Sequence, residues 1–355
     1  MKFCAKVVKF GRSAKKNPRI FSRFIVFSLP LYQVQKNSNT MSTQETRWQQ
    51  FVSEMRSTYK SMDTEEWWDR CVVRPIGFVE ACIGRKLHIH PNAITIVSII
   101  IGTVSGYFFV PGQTGMVLIA TLLLFFANTL DSADGQLARM TKQYSFLGRA
   151  LDGLAGEFWF TSIYLGILIR MYTMPIPFTN SMWGSWGVAL TVVSSLACHG
   201  TQAALADYYR VLHLHFLAQD GRSELTRSHL LQAEIATTEM PRLERLWKAL
   251  FCNYTKRQER MTPQLQRLLT ALEERGSAPL PQGFAEEYRQ GSLPLMPWAN
   301  TLSFNTRFLA LVVAMLLGMP WLYLLFECTA LNYLAWLMHR KHEALCKALI
   351  KKYQL

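Results

Sequence analysis

The chain has 355 residues, half of them hydrophobic, and a formal net charge of +14 at pH 7. That content fits a large soluble domain or a polytopic membrane protein, so the distribution of the apolar residues has to decide. They gather in uncharged runs too long for the amphipathic helices of a soluble fold, and the charges lie between the runs. The pattern excludes an ordinary soluble domain.

The positive charge does not indicate nucleic-acid binding. Nine Lys and Arg residues precede residue 40, and most of the others flank apolar runs. Anionic lipid and membrane topology account for basic residues in such places, so no nucleic-acid partner is expected. Residues 1–40 hold no acidic side chain, and Met41 begins a stretch typical of a natural start. We interpret 1–40 as a basic leader, an upstream extension of the functional chain.

Residues 41–90 are predicted to form an amphipathic juxtamembrane segment. Trp48, Phe51 and Met55 fall at helical spacing, which is typical of a helix lying along the membrane interface.

The fold class that follows is an all-α membrane protein with six transmembrane helices. Each predicted span is close to the ~17–25 residues that cross a bilayer. The predicted spans are 93–110, 115–130, 147–168, 183–205, 302–317 and 320–337.

Charge in the loops predicts the orientation, because short cytoplasmic loops collect Lys and Arg. Loops 111–114, 171–182 and 318–319 carry no charge and are expected outside, with Arg170 at the end of the third span as an exception. Both termini, including the basic tail 339–355, are then expected in the cytoplasm.

Residues 206–300 are predicted to form a cytoplasmic helical insertion. Pro263 divides it into two helices, each with a stripe of leucines at helical spacing. We expect the pair to cap the membrane domain from below, and residues 276–297, rich in Gly and Pro, to be a linker.

Three aspartates at the inner ends of the second and third spans are the candidate functional residues, because ionisable groups in spans usually mark function. Asp131 and Asp134 are three residues apart on one helix face, and Asp152 comes from the next helix. Such carboxylates repel one another unless a cation neutralises them, and an all-oxygen ligand set suits Mg²⁺, Mn²⁺ or Ca²⁺. The pattern predicts a metal site.

Small residues and one arginine accompany the acids. Gly135, Ala138 and Gly148 remove side-chain bulk, which predicts room for a large ligand. Arg139 places a guanidinium where a phosphate could be bound.

These residues resemble the signature of the CDP-alcohol phosphatidyltransferases, DxxDGxxAR followed by GxxxDxxxD. The sequence has DSADGQLAR from Asp131 and GRALD from Gly148, so seven of eight fixed positions agree, and His90-Pro91-Asn92 is similar to the motif that begins the family's first span. The resemblance implies Mg²⁺ or Mn²⁺ at the three aspartates, a CDP-linked donor, an alcohol acceptor and a homodimer. Arg149, inside the motif, is expected to bind a phosphate of the acceptor, and it completes a predicted ligand-binding set with Gly135, Ala138, Arg139 and Gly148.

The eighth position departs from the signature. Where the family has the aspartate that acts as general base, this chain has Gly156, with Glu157 beside it. Because a helix turns about 100° per residue, Glu157 points elsewhere unless a π-bulge restores the register. The catalytic carboxylates implied are thus Asp152 and, with a bulge, Glu157.

Two functions stay open at this point. The leading hypothesis is metal-dependent transfer of a phosphatidyl or substituted phosphate group from a CDP-linked donor such as CDP-diacylglycerol to a hydroxyl, with release of CMP at the cytoplasmic face. The alternative is a catalytically impaired member of the family that binds CDP-lipid or serves as a subunit, and the loss of the aspartate at Gly156 motivates it.

Overall fold

The computed structural model describes residues 47–59, 61, 63–217, 225–276 and 279–355. Their regular secondary structure is helical, and one isolated β-bridge between Pro175 and Met182 is the only strand-like pairing among them. The predicted basic leader, 1–40, lies outside the described residues.

Two helices precede the first candidate span. Helix α1 is Arg47–Ser57, and α2, Arg74–Lys86, follows a π-helical turn at Asp69–Val73. Met55 of α1 is buried, and Phe51 packs edge-on against Phe78 of α2 with ring centroids 4.9 Å apart. The apolar stripe predicted for residues 41–90 therefore packs α1 against α2 where the structure describes it.

Three long helices form the first half of the membrane domain: α3, Pro91–Phe109; α4, Thr114–Thr141; and α5, Phe146–Tyr172. Helix α3 packs along both α4 and α5, which touch each other little.

Glycines permit the close approach of α3 and α5. A Cβ added at Gly102 would lie 2.2 Å from the Trp159 ring, and one at Gly106 would lie 2.2 Å from Ser162 Oγ. Trp159 Nε1 donates to the Ser98 carbonyl at 3.1 Å, so helix contact and hydrogen bonding fix α5 along α3. This Gly-xxx-Gly pair joins two helices within the chain.

The next span is one helical path with a π segment in its middle. Helix α6 is Gly184–Val192, the π segment is Val193–His199, and α7 is Gly200–Leu217.

The insertion contains α8, Ser228–Thr237; α9, Arg242–Met261; and α10, Pro263–Glu274. The break at Pro263 is where it was predicted, because Pro is well tolerated in the first turn of a helix. The sequence pattern did not indicate α8. The leucines of α10 at 265, 268 and 269 are buried in a core shared with α7, whereas Leu246 and Leu250 of α9 are exposed.

The predicted linker 276–297 is wrong in its second half. Residues from Phe284 form helix α11, Phe284–Ser292, then a 3₁₀ turn at Leu293–Leu295 and α12, Met296–Thr301. Pro294 and Pro297 lie in the first turns of these last two elements, where the missing N–H breaks no intrahelical bond.

The remaining helices are α13, Phe304–Leu316; α14, Pro320–Phe326; a π segment, Glu327–Leu331; and α15, Asn332–Tyr353. Five helical paths in the described residues are long and apolar enough to cross a bilayer, which makes this an integral multi-pass membrane protein. They are Pro91–Phe109, Thr114–Thr141, Gly148–Tyr172, Gly184–Leu217 and Phe284–Leu316. The sixth predicted span, 320–337, is helical but is not among them, and Glu327 and Asn332 make it more polar.

Candidate metal centre

The C-terminal end of α4 is held on one face by α2. Thr58 Oγ1 donates to Gln136 Oε1 at 2.9 Å, and Gln136 Nε2 donates to the Arg74 carbonyl at 3.1 Å. Gly77 of α2 lies against the Thr129 carbonyl, 3.0 Å from where its Cβ would be. Positions 129 and 136 lie roughly opposite Asp131 and Asp134 on a helix, so this packing leaves the acidic face free for the site.

The start of α5 is fixed by an N-cap residue and by close packing at a glycine. Ser145 is the N-cap residue, and its Oγ accepts from the Gly148 N–H at 2.9 Å and donates to Asn92 Oδ1 at 3.2 Å. A Cβ on Gly148 would lie only 2.5 Å from Asn92 Oδ1. The space at Gly148 is thus occupied by Asn92 and Ser145, and this glycine allows close packing of α3 and α5; it does not leave the room for a ligand that was predicted.

The three aspartates converge. Asp131, Asp134 and Asp152 each offer a carboxylate oxygen, and these oxygens lie within 4.8 Å of one another. Asp134 is buried, Asp131 is half-buried and Asp152 is exposed, so the cluster opens at the Asp152 side. Thr95 of α3 lies beside Asp134.

The cluster fits a divalent cation. Three like charges at this separation repel one another, and Oδ2 of Asp134 is buried without a hydrogen-bond partner among the described residues. A buried carboxylate oxygen with no donor is costly unless a cation contacts it. Hard oxygen ligands of this kind suit Mg²⁺ or Mn²⁺.

The predicted phosphate-binding residues surround the acids. The Arg139 guanidinium lies over Gly135, 3.4 Å from where a Cβ on that glycine would be, and its charge acts on Asp134. Ala138 is half-buried one turn beyond Asp134, and Arg149 is exposed near the start of α5, three residues before Asp152.

Glu157 does not join the aspartates. Helix α5 runs as an uninterrupted α-helix from Phe146 to Tyr172, so the bulge that would restore the register is not formed. Glu157 instead lies near His199 and Tyr254, on the side of α7 and α9, where it acts on both electrostatically. A Cβ added at Gly156, or at Gly153, would meet no atom within 4 Å, so this flank of α5 beside Asp152 is open.

The sequence did not indicate a second charged cluster, because its members are far apart along the chain. The Arg307 guanidinium pairs with the Glu327 carboxylate, both fully buried, and Arg307 Nη2 donates to Gln202 Oε1 at 2.7 Å. Glu327 also accepts from Tyr164, from Ser194 at 2.6 Å and from Tyr323 at 2.7 Å. The only sequence signal was the presence of one Glu in an apolar run.

Two carboxyl groups in the segment that precedes α3 have raised pKa values. Burial raises the pKa of Glu80 to about 7, although Thr129 Oγ1 donates to its Oε1 at 3.0 Å. Burial also raises the pKa of Glu66 to about 7, opposed by a 2.9 Å hydrogen bond from Asn305 Nδ2. In both residues desolvation of the charged form outweighs the hydrogen bond.

Comparison with known proteins gives one match. Residues 88–231 match the family model described as CDP-alcohol phosphatidyltransferase, a segment that contains the three aspartates, Arg139 and Gly156. No curated protein and no solved structure matches the chain significantly. Helices α9 to α15 lie outside the matched segment.

Proposed function

We propose that this chain, whose residues 88–231 match the family model described as CDP-alcohol phosphatidyltransferase, is an EC 2.7.8 type transferase that moves a phosphatidyl group from CDP-diacylglycerol to an acceptor hydroxyl. The acceptor is a polyol or a polyol phosphate, CMP is released, and the product is a phospholipid. The enzyme has six spans and an active site at the cytoplasmic boundary, and it works as a homodimer.

The observation that carries the proposal is the group of three carboxylates within 4.8 Å, from two helices that barely touch. A purely structural role would require partners for the buried oxygen of Asp134, and the described residues supply none. A site at the membrane boundary also suits the substrates, because the nucleotide arrives from water and the acyl chains from the bilayer.

Asp131, Asp134 and Asp152 would hold Mg²⁺ or Mn²⁺, which supplies charge neutralisation for a diphosphate when bound. Arg139 and Arg149 orient the phosphates through charged hydrogen bonds. The small residues Gly135 and Ala138 leave room for the phosphates on that face of α4. Asp152 takes the proton of the acceptor hydroxyl. It is the exposed member of the group, whereas Glu157 lies towards α7 and α9 and position 156 has no side chain.

The test is CMP release by the purified chain in detergent with Mg²⁺ or Mn²⁺ and a panel of CDP-linked donors and alcohol acceptors. Asp131→Asn and Asp152→Asn are expected to abolish release, and Glu157→Gln is expected to retain most of it. Glu274→Gln, an exposed carboxylate on α10, is the matched control.

The same assay tests the rival function. The open position at Gly156 favours a chain that binds CDP-lipid without turning it over. No CMP from any donor and acceptor pair, together with saturable binding of CDP-diacylglycerol that Asp131→Asn removes, would establish that function and reject catalysis.

A further inference from the structure

Helix α9 of the insertion presents its leucines to the outside. Leu246, Leu250, Asn253 and Arg257 are spaced at four, three and four residues and form one stripe along the helix. All four are exposed, and Leu246 keeps 55% of its surface and Leu250 45%. Leu246 and Leu250, one turn apart, therefore place two large apolar side chains together on the exposed face of this helix.

The buried face of the same helix is polar. Lys248 donates to Glu234 at 2.7 Å and pairs with Glu244 at 3.1 Å. Gln258 Nε2 donates to the Ala204 carbonyl of α7 at 3.1 Å. Polar contacts thus attach this face of α9 to the rest of the protein, whereas Leu246 and Leu250 leave about half of their surface exposed.

The stripe continues onto the surface of a membrane span. Arg257, at its end, donates to the Leu196 carbonyl at 3.3 Å and to Thr201 Oγ1 at 2.9 Å. Leu196 belongs to the candidate span Gly184–Leu217 and is 70% exposed. An exposed leucine in a span faces lipid, so the C-terminal end of the stripe lies at the edge of the bilayer.

The charge of α9 indicates which surface its leucines meet. Its 20 residues hold six Lys and Arg against two Glu. Four of the arginines are exposed, at 242, 245, 257 and 260. Arginines around an apolar stripe are typical of helices that lie in an anionic membrane interface.

We propose that α9 lies on the bilayer surface, with Leu246 and Leu250 in the acyl boundary and its arginines among anionic phospholipid headgroups. The insertion is thus a membrane-binding element that extends the lipid contact of span Gly184–Leu217 sideways. This inference does not depend on the chemistry at the three aspartates.

The experiment places an environment-sensitive fluorophore on Leu246→Cys, Leu250→Cys and, as an exposed control on α10, Glu274→Cys. Each full-length variant is reconstituted into nanodiscs of phosphatidylcholine alone or with one quarter phosphatidylglycerol, with or without lipids carrying a quencher on the acyl chain. The unsubstituted chain, labelled in parallel, gives the background from its own cysteines.

Probes at 246 and 250 are expected to show blue-shifted emission and several-fold more quenching by acyl-chain quenchers than the probe at 274. The difference should grow with phosphatidylglycerol and shrink in Arg242→Gln/Arg245→Gln. Water-like emission at 246 and 250 in both lipids would overturn the proposal. So would blue-shifted emission without acyl-chain quenching, because that result means protein covers the stripe. Thermal unfolding in detergent reports that each variant is folded.

Discussion

Two charged clusters lie within one membrane domain and differ in how their charges are satisfied. At Arg307 and Glu327 opposite charges meet, and every Glu327 oxygen accepts hydrogen bonds from neighbouring helices. At Asp131, Asp134 and Asp152 the charges are alike, and a buried oxygen has no donor. A charge cluster that is complete within the protein serves the structure, and one that is incomplete requires a ligand.

The two clusters also join different parts of the chain. The aspartates come from α4 and α5, which are held apart by α3. The Arg307–Glu327 cluster connects α5 and α7, through Tyr164 and Gln202, to the last helices. Charge therefore lies at two positions along α5, at the proposed ligand site of Asp152 and at the helix junction of Tyr164.

The largest expected effect comes from breaking the satisfied cluster. Arg307→Met leaves Glu327 buried without its cation and is expected to lower the free energy of unfolding by roughly 3–5 kcal/mol. Thermal unfolding in detergent measures this. Arg307→Met/Glu327→Leu removes both charges and should recover a good part of the loss. A single variant as stable as the unsubstituted chain would contradict the assigned structural role.

Breaking the incomplete cluster should affect activity and spare stability. Asp134→Asn removes one of three like charges, so unfolding without metal should occur at the same or a higher temperature. CMP release should fall by more than the ~10–100-fold typical of a lost group around a metal site. Mg²⁺ at 100 times its Kd should stabilise the unsubstituted chain by about 2.7 kcal/mol and leave the variant unchanged. An equal response of both proteins would show that metal binds elsewhere.

A pair of glycine variants on α5 tests how the clusters are positioned. Gly148→Ala places a methyl group 2.5 Å from Asn92 Oδ1, so it should cost about 1–3 kcal/mol and reduce CMP release by displacing Asp152. Gly153→Ala meets open space and should gain up to about 1 kcal/mol from helix propensity. The unfolding temperatures of both variants measure these changes. Equal effects would show that close packing of α3 and α5 does not depend on Gly148.

A further prediction concerns neither cluster and lies at Glu80. Its pKa rises from the usual 4.5 to about 7 on folding because of burial, so the unfolded chain loses this proton at lower pH than the folded chain. The free energy of unfolding should therefore fall as pH rises from about 4.5 to 7 and then level off. Glu80→Gln should flatten this part of the pH profile of unfolding temperature. If the slope of unfolding temperature against pH did not change in Glu80→Gln, the pH dependence would come from another titratable side chain.

The sequence predicted what depends on local spacing. Helix geometry placed Asp131 and Asp134 on one face, Asp152 was expected from the start of the next helix, and the helix break at Pro263 followed from the chemistry of proline. The Arg307–Glu327 pair joins residues that pattern reading does not link, because the contact depends on how α13 and α14 pack. The residues from Phe284 onwards appeared to be a linker because Pro294 and Pro297 were interpreted as breakers, although both begin helical turns.

Glycine patterns were ambiguous for a related reason. Gly148 and Gly156 look alike in the sequence, but the first is filled by Asn92 and the second faces empty space. Only the arrangement of neighbouring helices distinguishes a glycine that permits packing from one that leaves a cavity. The position of Glu157 likewise depended on whether α5 bulges, which sequence spacing does not determine.

The open flank at Gly153 and Gly156 has a pharmacological consequence. The full signature has a carboxylate where this chain has Gly156, and that side chain would lie on the flank that is open here. A compound that chelates the proposed metal and extends an apolar arm along this flank would bind this chain and be repelled, by both bulk and charge, from enzymes that keep the aspartate. The missing side chain thus offers a basis for selective inhibition.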